Sequence, residues 1–454
     1  MCWKQLLDKT RLGDEARREE PHRPFYMQDL DRIAFSAPFR RLAHKTQVHP
    51  LSDNDHLHHR LIHSLETAIV GRSLGMEVGH WLEESGAIDK GEKHVVAGVV
   101  QAACMAHDIG NPPFGHAGEA AIGQWFARRF DTKEGIFAEA ESLRPEFTAF
   151  EGNAQGFRIL TQLDMCRFTG GMRLSHAVLG AFTKYPITAL VQAQIADKDY
   201  CGVKKFGLFS AEEALFAKVA ISLGLPQEHN ARGKWWRRHP LVFLVEAADD
   251  ICYNIIDLED AVHAGELPIN AVMNLLNKVL DAMGKERPPK QKHDHDHEWV
   301  ARARARAIGK AIAACAEAFM ANYDTIMRGT FSSSLLEVSN IRDAFADIKT
   351  FSKERIYTSA RKIALEVYGH NVLHRILDGI CPVFEALRRQ NWQSENLGPY
   401  EARIVQALGL DLRAVQDNGT ALHAMTDFVA GMSDRHAVKT AQILSGAGGQ
   451  GLTP

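Results

Sequence analysis

Residues 95–105, Val-Val-Ala-Gly-Val-Val-Gln-Ala-Ala-Cys-Met, are apolar almost all round and run into the doublet His107-Asp108. A helix of that composition is a buried one. An ionised Asp at its end is costly to desolvate unless a cation or hydrogen-bond donors compensate. A metal ion satisfies the His and the Asp together. Asn111-Pro112-Pro113-Phe114-Gly115 then ends the helix, because a residue before Pro avoids the α region and Gly turns easily. A second helix starting near His116 puts His116 and Glu119, three residues apart, on one face. A metal-type pair is thus followed, across a tight turn, by an acid–base pair. The bland alternative is a chance His-Asp with a surface His and Glu beyond it.

The 454 residues, 45% hydrophobic and 24% charged, suffice for a large core. A net charge of −3 with 22 neutral His excludes a global basic field that draws the chain to nucleic acid. The seven Cys (2, 104, 166, 201, 252, 315, 381) form no CxxC pair and read as buried free thiols of a reducing compartment. No signal peptide and no 18-residue apolar span are recognisable, so a soluble, cytoplasmic protein without membrane contact is expected.

The periodicity reads as helical along most of the chain, with 197–240 mixed. Residues 1–30, charge-dense from Arg11 to Arg23, read as an N-terminal arm. A core follows over 31–265, then a helical C-terminal part over 266–440 that packs on it, and a disordered tail over 441–454. Within the third part, 283–298 is low in complexity with alternating His and Asp, and reads as a mobile solvated loop rather than a metal trap. Helices are predicted from His56 to about Leu74, over 241–263, and over 299–328, 335–350, 353–369, 370–390, 400–410 and 418–445. No strand ladder, repeat or Gly-rich phosphate loop stands out, so anions must be held by side chains and metal.

The first of these helices holds Arg60 and His63 on one face, His63 beside a buried seam of Leu65, Ile69 and Leu74; a lone His there is more often core than ligand. Arg41, Lys45 and Gln47, upstream, suit an anion or a sugar, or a solvated helix face. In 241–263, Asp249, Tyr253 and Asp257 recur every four residues. They form a polar stripe roughly 12 Å long at 1.5 Å per residue, the scale from a nucleotide's α-phosphate to its sugar. His63, His107, Asp108 and Asp249 together offer two imidazoles and two carboxylates, a set suited to a divalent ion with open positions.

This H…HD…D order resembles the HD-domain phosphohydrolase superfamily. Three longer stretches narrow the resemblance: His107-Asp-Ile-Gly-Asn-Pro-Pro-Phe-Gly-His116-Ala-Gly-Glu119, Phe39-Arg-Arg-Leu-Ala-His-Lys-Thr-Gln47-Val, and Glu246-Ala-Ala-Asp249-Asp-Ile-Cys-Tyr253 through Asp257-Leu-Glu-Asp. They are similar to the deoxyguanosine triphosphate triphosphohydrolase family, as are Ile356-Tyr357 and Ala430-Gly-Met-Ser-Asp434-Arg. The resemblance covers residues 30 to 440.

It implies an all-α HD bundle elaborated with C-terminal helices. It also implies hydrolysis of a deoxynucleoside triphosphate (dGTP or another dNTP) to deoxynucleoside and inorganic triphosphate, by water attack on the α-phosphorus. His63, His107, Asp108 and Asp249 then hold Mg²⁺, Mn²⁺ or another transition metal. His116 and Glu119 match the catalytic pair. Arg60 and Lys184 match phosphate contacts, Tyr253 packs on deoxyribose, and Asp257 and Gln47 meet the sugar edge; Asn153 and Glu366 match further substrate positions. Family members are commonly hexamers, and some bind a dNTP effector. The His/Asp-rich 293–298 and the basic aromatic cluster Lys234 to His239 depart from the pattern; the cluster leaves single-stranded DNA as an unsupported partner. The alternatives are another HD nucleotidase or cyclic-nucleotide phosphodiesterase, and a non-catalytic nucleotide or single-stranded-DNA binder.

Overall fold

The computed structural model of the chain describes residues 1–14, 20, 22–47, 58–165, 169–196, 198–230, 233–282, 284, 287, 289, 295–358 and 360–447. These residues are mostly helical. The helices that matter for the site are, in chain order, α1 (Phe25–Phe35), α2 (Arg60–Glu84), α3 (Lys93–Ala106), α4 (Gly115–Thr132) and α5 (Gly152–Arg158). After them come α6 (His176–Phe182), α7 (Val242–His263), α8 (Ile269–Ala282), α9 (Asp296–Ala321), α10 (Arg342–Arg355), α11 (Ala360–Arg389), α12 (Asn418–Ala430) and α13 (Asp434–Ser445).

The apolar run at 95–105 forms the last three turns of α3, buried as its composition requires. It packs along α2 through small residues. Gly71, Gly75 and Gly79 recur every four residues, on one face of α2. A Cβ on Gly71 would stand 2.4 Å from Cys104 Sγ, and one on Gly75 2.7 Å from Ala97 Cα. The two backbones therefore touch along this seam, and α7 lies across both helices. That close packing fixes His63 at the start of α2, His107 at the end of α3 and Asp249 in α7 relative to one another.

Two hydrophobic cores result. The first gathers α1–α3 and α6–α10; the second gathers α4 and α11–α13. Ile109 belongs to the first and Phe114 to the second. The Asn-Pro-Pro turn between them spans the junction, so residues 372–441 pack against the helix that carries His116 and Glu119.

Several sequence expectations need correction. The first fourteen residues are not an arm: Trp3, Leu6 and Leu12 are buried in the first core, and the buried Arg11 is paired with the buried Asp29. A hairpin exists, Gln227–Asn230 (β1) paired antiparallel with Gly233–Trp236 (β2). The adjacent Trp235 and Trp236 favour a strand, and Trp236 is anchored in the first core. Residues 360–389 are one helix rather than two. Gly369 does not break it but lets the Phe114 ring approach, since a Cβ there would lie 2.7 Å from that ring. Of the loop expected at 283–298, residues 283, 285, 286, 288 and 290–294 lie outside the described residues. His295 caps α9 and residues 296–298 form its first turn. Residues 441–445 are the end of α13, not tail; 448–454 lie outside the described residues, as do His56 and Cys166. The other six Cys are free thiols, five of them buried and Cys2 exposed, contrary to expectation. No described helix is long and apolar enough to cross a membrane.

Candidate active site

His63, His107 and Asp249 come together as the sequence order predicts. One donor atom from each lies within 4.8 Å of the other two, and among the described residues no other group of three metal-type side chains does so. Asp249 Oδ1 is 3.2 Å from His63 Nε2 and 3.4 Å from His107 Nε2. His107 Nδ1 donates to the Cys104 carbonyl oxygen at 2.7 Å, which leaves Nε2 as the lone-pair nitrogen. That buried Nε2 has no hydrogen-bond partner, yet two carboxylate oxygens, of Asp249 and Asp108, stand 3.4 Å from it. A lone pair facing carboxylates calls for a cation between them, so the residues present fit a divalent metal.

Asp108 adjoins this trio but is also held from its other side. Arg60 Nη1 donates to Oδ2 at 2.6 Å and Asn111 Nδ2 to Oδ1 at 2.5 Å. Burial alone would raise its pKa; Arg60, His107 and His63 reverse this and hold it well below the usual range. Asp249 is likewise held low, Lys184 and His107 outweighing burial. Lys184 Nζ bonds Asp249 Oδ2 at 2.8 Å. Its own pKa is raised, because Asp249 and Glu246 overcome the desolvation. Burial would lower His107, but Asp108 and Asp249 raise it.

Beyond the turn, α4 is capped by Phe114 at φ 63° and begins with Gly115 at φ 57°. A bulky residue in this left-handed region is a genuine outlier. Gly118 is required by packing, since a Cβ there would meet the Pro113 carbonyl oxygen at 2.0 Å. His116 is exposed and Glu119 half-buried. Glu119 Oε1 accepts the Gly152 amide at 2.8 Å, which ties it to the start of α5.

These groups line one cavity of about 260 Å³, or about 1220 Å³ of empty space counted out through its mouth. Those two figures bracket ordinary small-molecule sites, ~300–1,000 Å³. Gln47, Arg60, His107, Asp108, His116, Glu119, Asn153, Lys184, Asp249, Tyr253 and Glu366 all reach its wall. His63 stands behind the wall, against Asp249. Asp257 is not brought to it. It is buried, and its Oδ2 accepts the Tyr357 hydroxyl at 2.6 Å. Burial pushes its pKa up to about 7. The Tyr253 and Tyr357 rings stack 5.8 Å apart at 20°.

The wall also holds residues that sequence reasoning missed. Lys205 and Lys362 line it, beside Asn111 of the Asn-Pro-Pro turn and Asp250, whose role next to Asp249 is left open by the sequence. Lys205 bonds Glu151 Oε2 at 3.0 Å, and burial and Glu119 push the Glu151 carboxyl up to about 7. Asp250 is pushed up to about 6 by burial, against the pull of Lys349. The Lys234 to His239 cluster is largely folded inward. Arg238 is buried against Glu246 at 3.0 Å, His239 is buried, and Arg237 lies over the Tyr200 and Trp235 rings.

Comparison with known proteins agrees with this geometry. Residues 60–197 match the HD domain family, a span that includes His63, His107 and Asp108. The chain is 38% identical over 458 residues to a deoxyguanosinetriphosphate triphosphohydrolase-like protein of Pseudomonas aeruginosa, covering 98% of this chain and 99% of that one. It is equally similar, over 457 residues, to a protein of the same name from Synechocystis sp.. It is 30% identical over 411 residues to the deoxyguanosinetriphosphate triphosphohydrolase of Yersinia pestis, covering 79% of this chain and 76% of that one.

Proposed function

Because the chain belongs to the deoxyguanosine triphosphate triphosphohydrolase-like family of HD-domain proteins, we propose that it is a metal-dependent hydrolase that cleaves a dNTP into deoxynucleoside and inorganic triphosphate. The observation that carries this reading is one cavity, with His63 just behind its wall, at which three roles meet. The His63, His107 and Asp249 donors lie within 4.8 Å of one another, the His116/Glu119 pair follows one turn on, and Arg60, Lys184 and Lys205 supply positive charge. A dNTP needs all three: a polarised phosphate, a positioned water with a proton donor, and cations for the polyphosphate.

His63, His107 and Asp249, with Asp108 beside them, would hold Mg²⁺ or Mn²⁺. Bound there, the ion polarises the phosphate under attack. The chain's own residues do the rest. Arg60 and Lys184 neutralise phosphate oxygens. Glu119, anchored by the Gly152 amide, orients the attacking water and accepts its proton. The water oxygen bonds the α-phosphorus, the bond from that phosphorus to the 5′-oxygen breaks, and the departing oxygen takes a proton from His116. Tyr253, stacked on Tyr357, packs against the sugar where a 2′-hydroxyl would sit. Gln47, Asn153 and Glu366 supply polar contacts from the cavity wall. Asp257 acts through Tyr357 rather than on the sugar directly.

The test is product analysis. Each dNTP, alone and in pairs, is incubated with the protein and Mg²⁺ or Mn²⁺, and again with chelator. Deoxynucleoside and triphosphate, absent with chelator, are expected. Monophosphate with pyrophosphate would refute the reading.

A further inference from the structure

Asp434, the first residue of α13, is buried and does not line the cavity. Its Oδ1 accepts the Phe114 amide at 3.0 Å. Its Oδ2 accepts the Thr46 amide at 3.0 Å and the Thr46 hydroxyl. The neighbouring Lys45 is also buried and also off the wall. Its ammonium donates to the Asn111 carbonyl at 2.6 Å and to the Ala430 carbonyl at 2.7 Å. Asn111 and Phe114 are the two ends of the Asn-Pro-Pro-Phe turn. Lys45 with Ala430 therefore grips one end, and Thr46 with Asp434 the other. Residues from two remote parts of the chain converge on this turn, which makes up four of the seven residues that separate His107-Asp108 from His116.

The turn needs such a grip. Neither proline offers an amide donor, so the turn has few bonds of its own. Phe114 sits in the left-handed region, a conformation that persists where the surroundings over-determine it. The same two loops carry Gln47, one residue beyond Thr46, and Asn111, which bonds Asp108.

We propose that Asp434 and Lys45 are positioning residues, a two-point clamp from the C-terminal helices and the segment before α2 that sets His116 and Glu119 against the metal-type trio. This rests on the phosphohydrolase reading of the site. The clamp touches neither substrate nor metal, so its loss misplaces the catalytic pair while the His63, His107 and Asp249 set stays intact in the first core.

The test uses the full-length protein with Asp434→Asn and Lys45→Met. Asparagine keeps the size of Asp434 but turns a donor toward Thr46; methionine keeps the length of Lys45 but removes its donors. Three quantities are read: dNTP turnover, Mn²⁺ affinity by calorimetry, and hydrogen exchange over 112–119. In either variant kcat falls by about 10²-fold, KM and Mn²⁺ affinity stay near wild type, and exchange over 112–119 speeds up. Asp434→Glu restores part of kcat. Exchange unchanged in both variants overturns the clamp. So does a parallel loss of kcat, KM and Mn²⁺ affinity, or an unfolded circular dichroism spectrum in both, since those mark a purely structural role. A wild-type protein that binds Mn²⁺ but cleaves no dNTP refutes the reaction, and the exchange measurement still decides the clamp.

Discussion

His107 Nδ1 donates to the carbonyl oxygen of Cys104, three residues earlier in the same helix, at 2.7 Å. The helix end thus sets the tautomer of the imidazole and aims its other nitrogen at Asp249. Two members of the trio are imidazoles whose side chains are almost wholly buried. His107→Ala should therefore abolish Mn²⁺ binding in calorimetry and turnover with it, while the circular dichroism spectrum stays helical. Retained Mn²⁺ affinity in this variant would place the metal elsewhere.

Metal binding should also release protons. Burial works against the His107 imidazolium, but Asp108 and Asp249 overcome it and raise its pKa. A ligating imidazole must be neutral. The ion therefore competes with a proton that the metal-free site holds more firmly than free imidazole does. Mn²⁺ affinity should rise with pH between 6 and 8. Calorimetry in two buffers of different ionisation enthalpy measures the protons released, and a buffer-independent enthalpy at pH 6 would contradict the assignment.

Tyr253 offers a test of sugar discrimination. Its ring is backed by Tyr357 at 5.8 Å, and Tyr357 is in turn fixed by its bond to Asp257. A supported ring excludes a 2′-hydroxyl better than a free one. Tyr253→Ala should narrow the preference for dGTP over GTP by about tenfold or more, whereas Tyr253→Phe should keep it. Competition assays with the two nucleotides give the ratio directly.

The metal-type set was legible because its chemistry demands uncommon residues in a fixed order. His63, the His107-Asp108 doublet and Asp249 stand out from apolar helices that cannot bury them cheaply. The clamp was not legible. Lys45 to the Ala430 carbonyl and Asp434 to the Phe114 amide are contacts with backbone atoms across more than 300 residues, and they leave no periodicity. Nothing in the spacing of Lys205 or Lys362 sets them apart from the other lysines of the chain. Asp257 shares the face of Asp249 by spacing alone, but spacing does not reveal that Tyr357 occupies it. At the N-terminus, charges from Arg11 to Arg23 obscured Trp3, Leu6 and Leu12, three apolar residues that end in the core.

Gly110 shows how little room the site leaves. A Cβ there would lie 2.1 Å from the Gly152 carbonyl oxygen and 2.2 Å from the Gly156 nitrogen. Both are backbone atoms of α5, which cannot rotate away. Gly110→Ala must push α5 outward, and with it the Gly152 amide that anchors Glu119. A loss of about 1–3 kcal/mol is expected from such overpacking, with a fall in kcat beyond what the residual folded fraction explains. Urea titration and turnover on the same sample separate the two effects.

Glu212 makes stability depend on pH. It is fully buried; Arg158 and Gln162 donate to Oε1 at 2.7 and 2.6 Å, and Oε2 has no partner. Burial, only partly offset by Arg158, pushes its pKa up to about 7 from an ordinary 4.5. The folded protein then binds this proton more tightly than the unfolded chain. The proton's contribution is complete below about pH 4.5, is lost as pH rises toward 7, and changes no further above that. Glu212→Gln keeps the acceptor at Oε1 and removes the titration. The variant should gain on wild type between pH 5 and pH 8, by up to about 3 kcal/mol if the whole shift is expressed. Urea midpoints at the two pH values measure it. Parallel pH profiles for variant and wild type would rule Glu212 out as the source of the pH dependence.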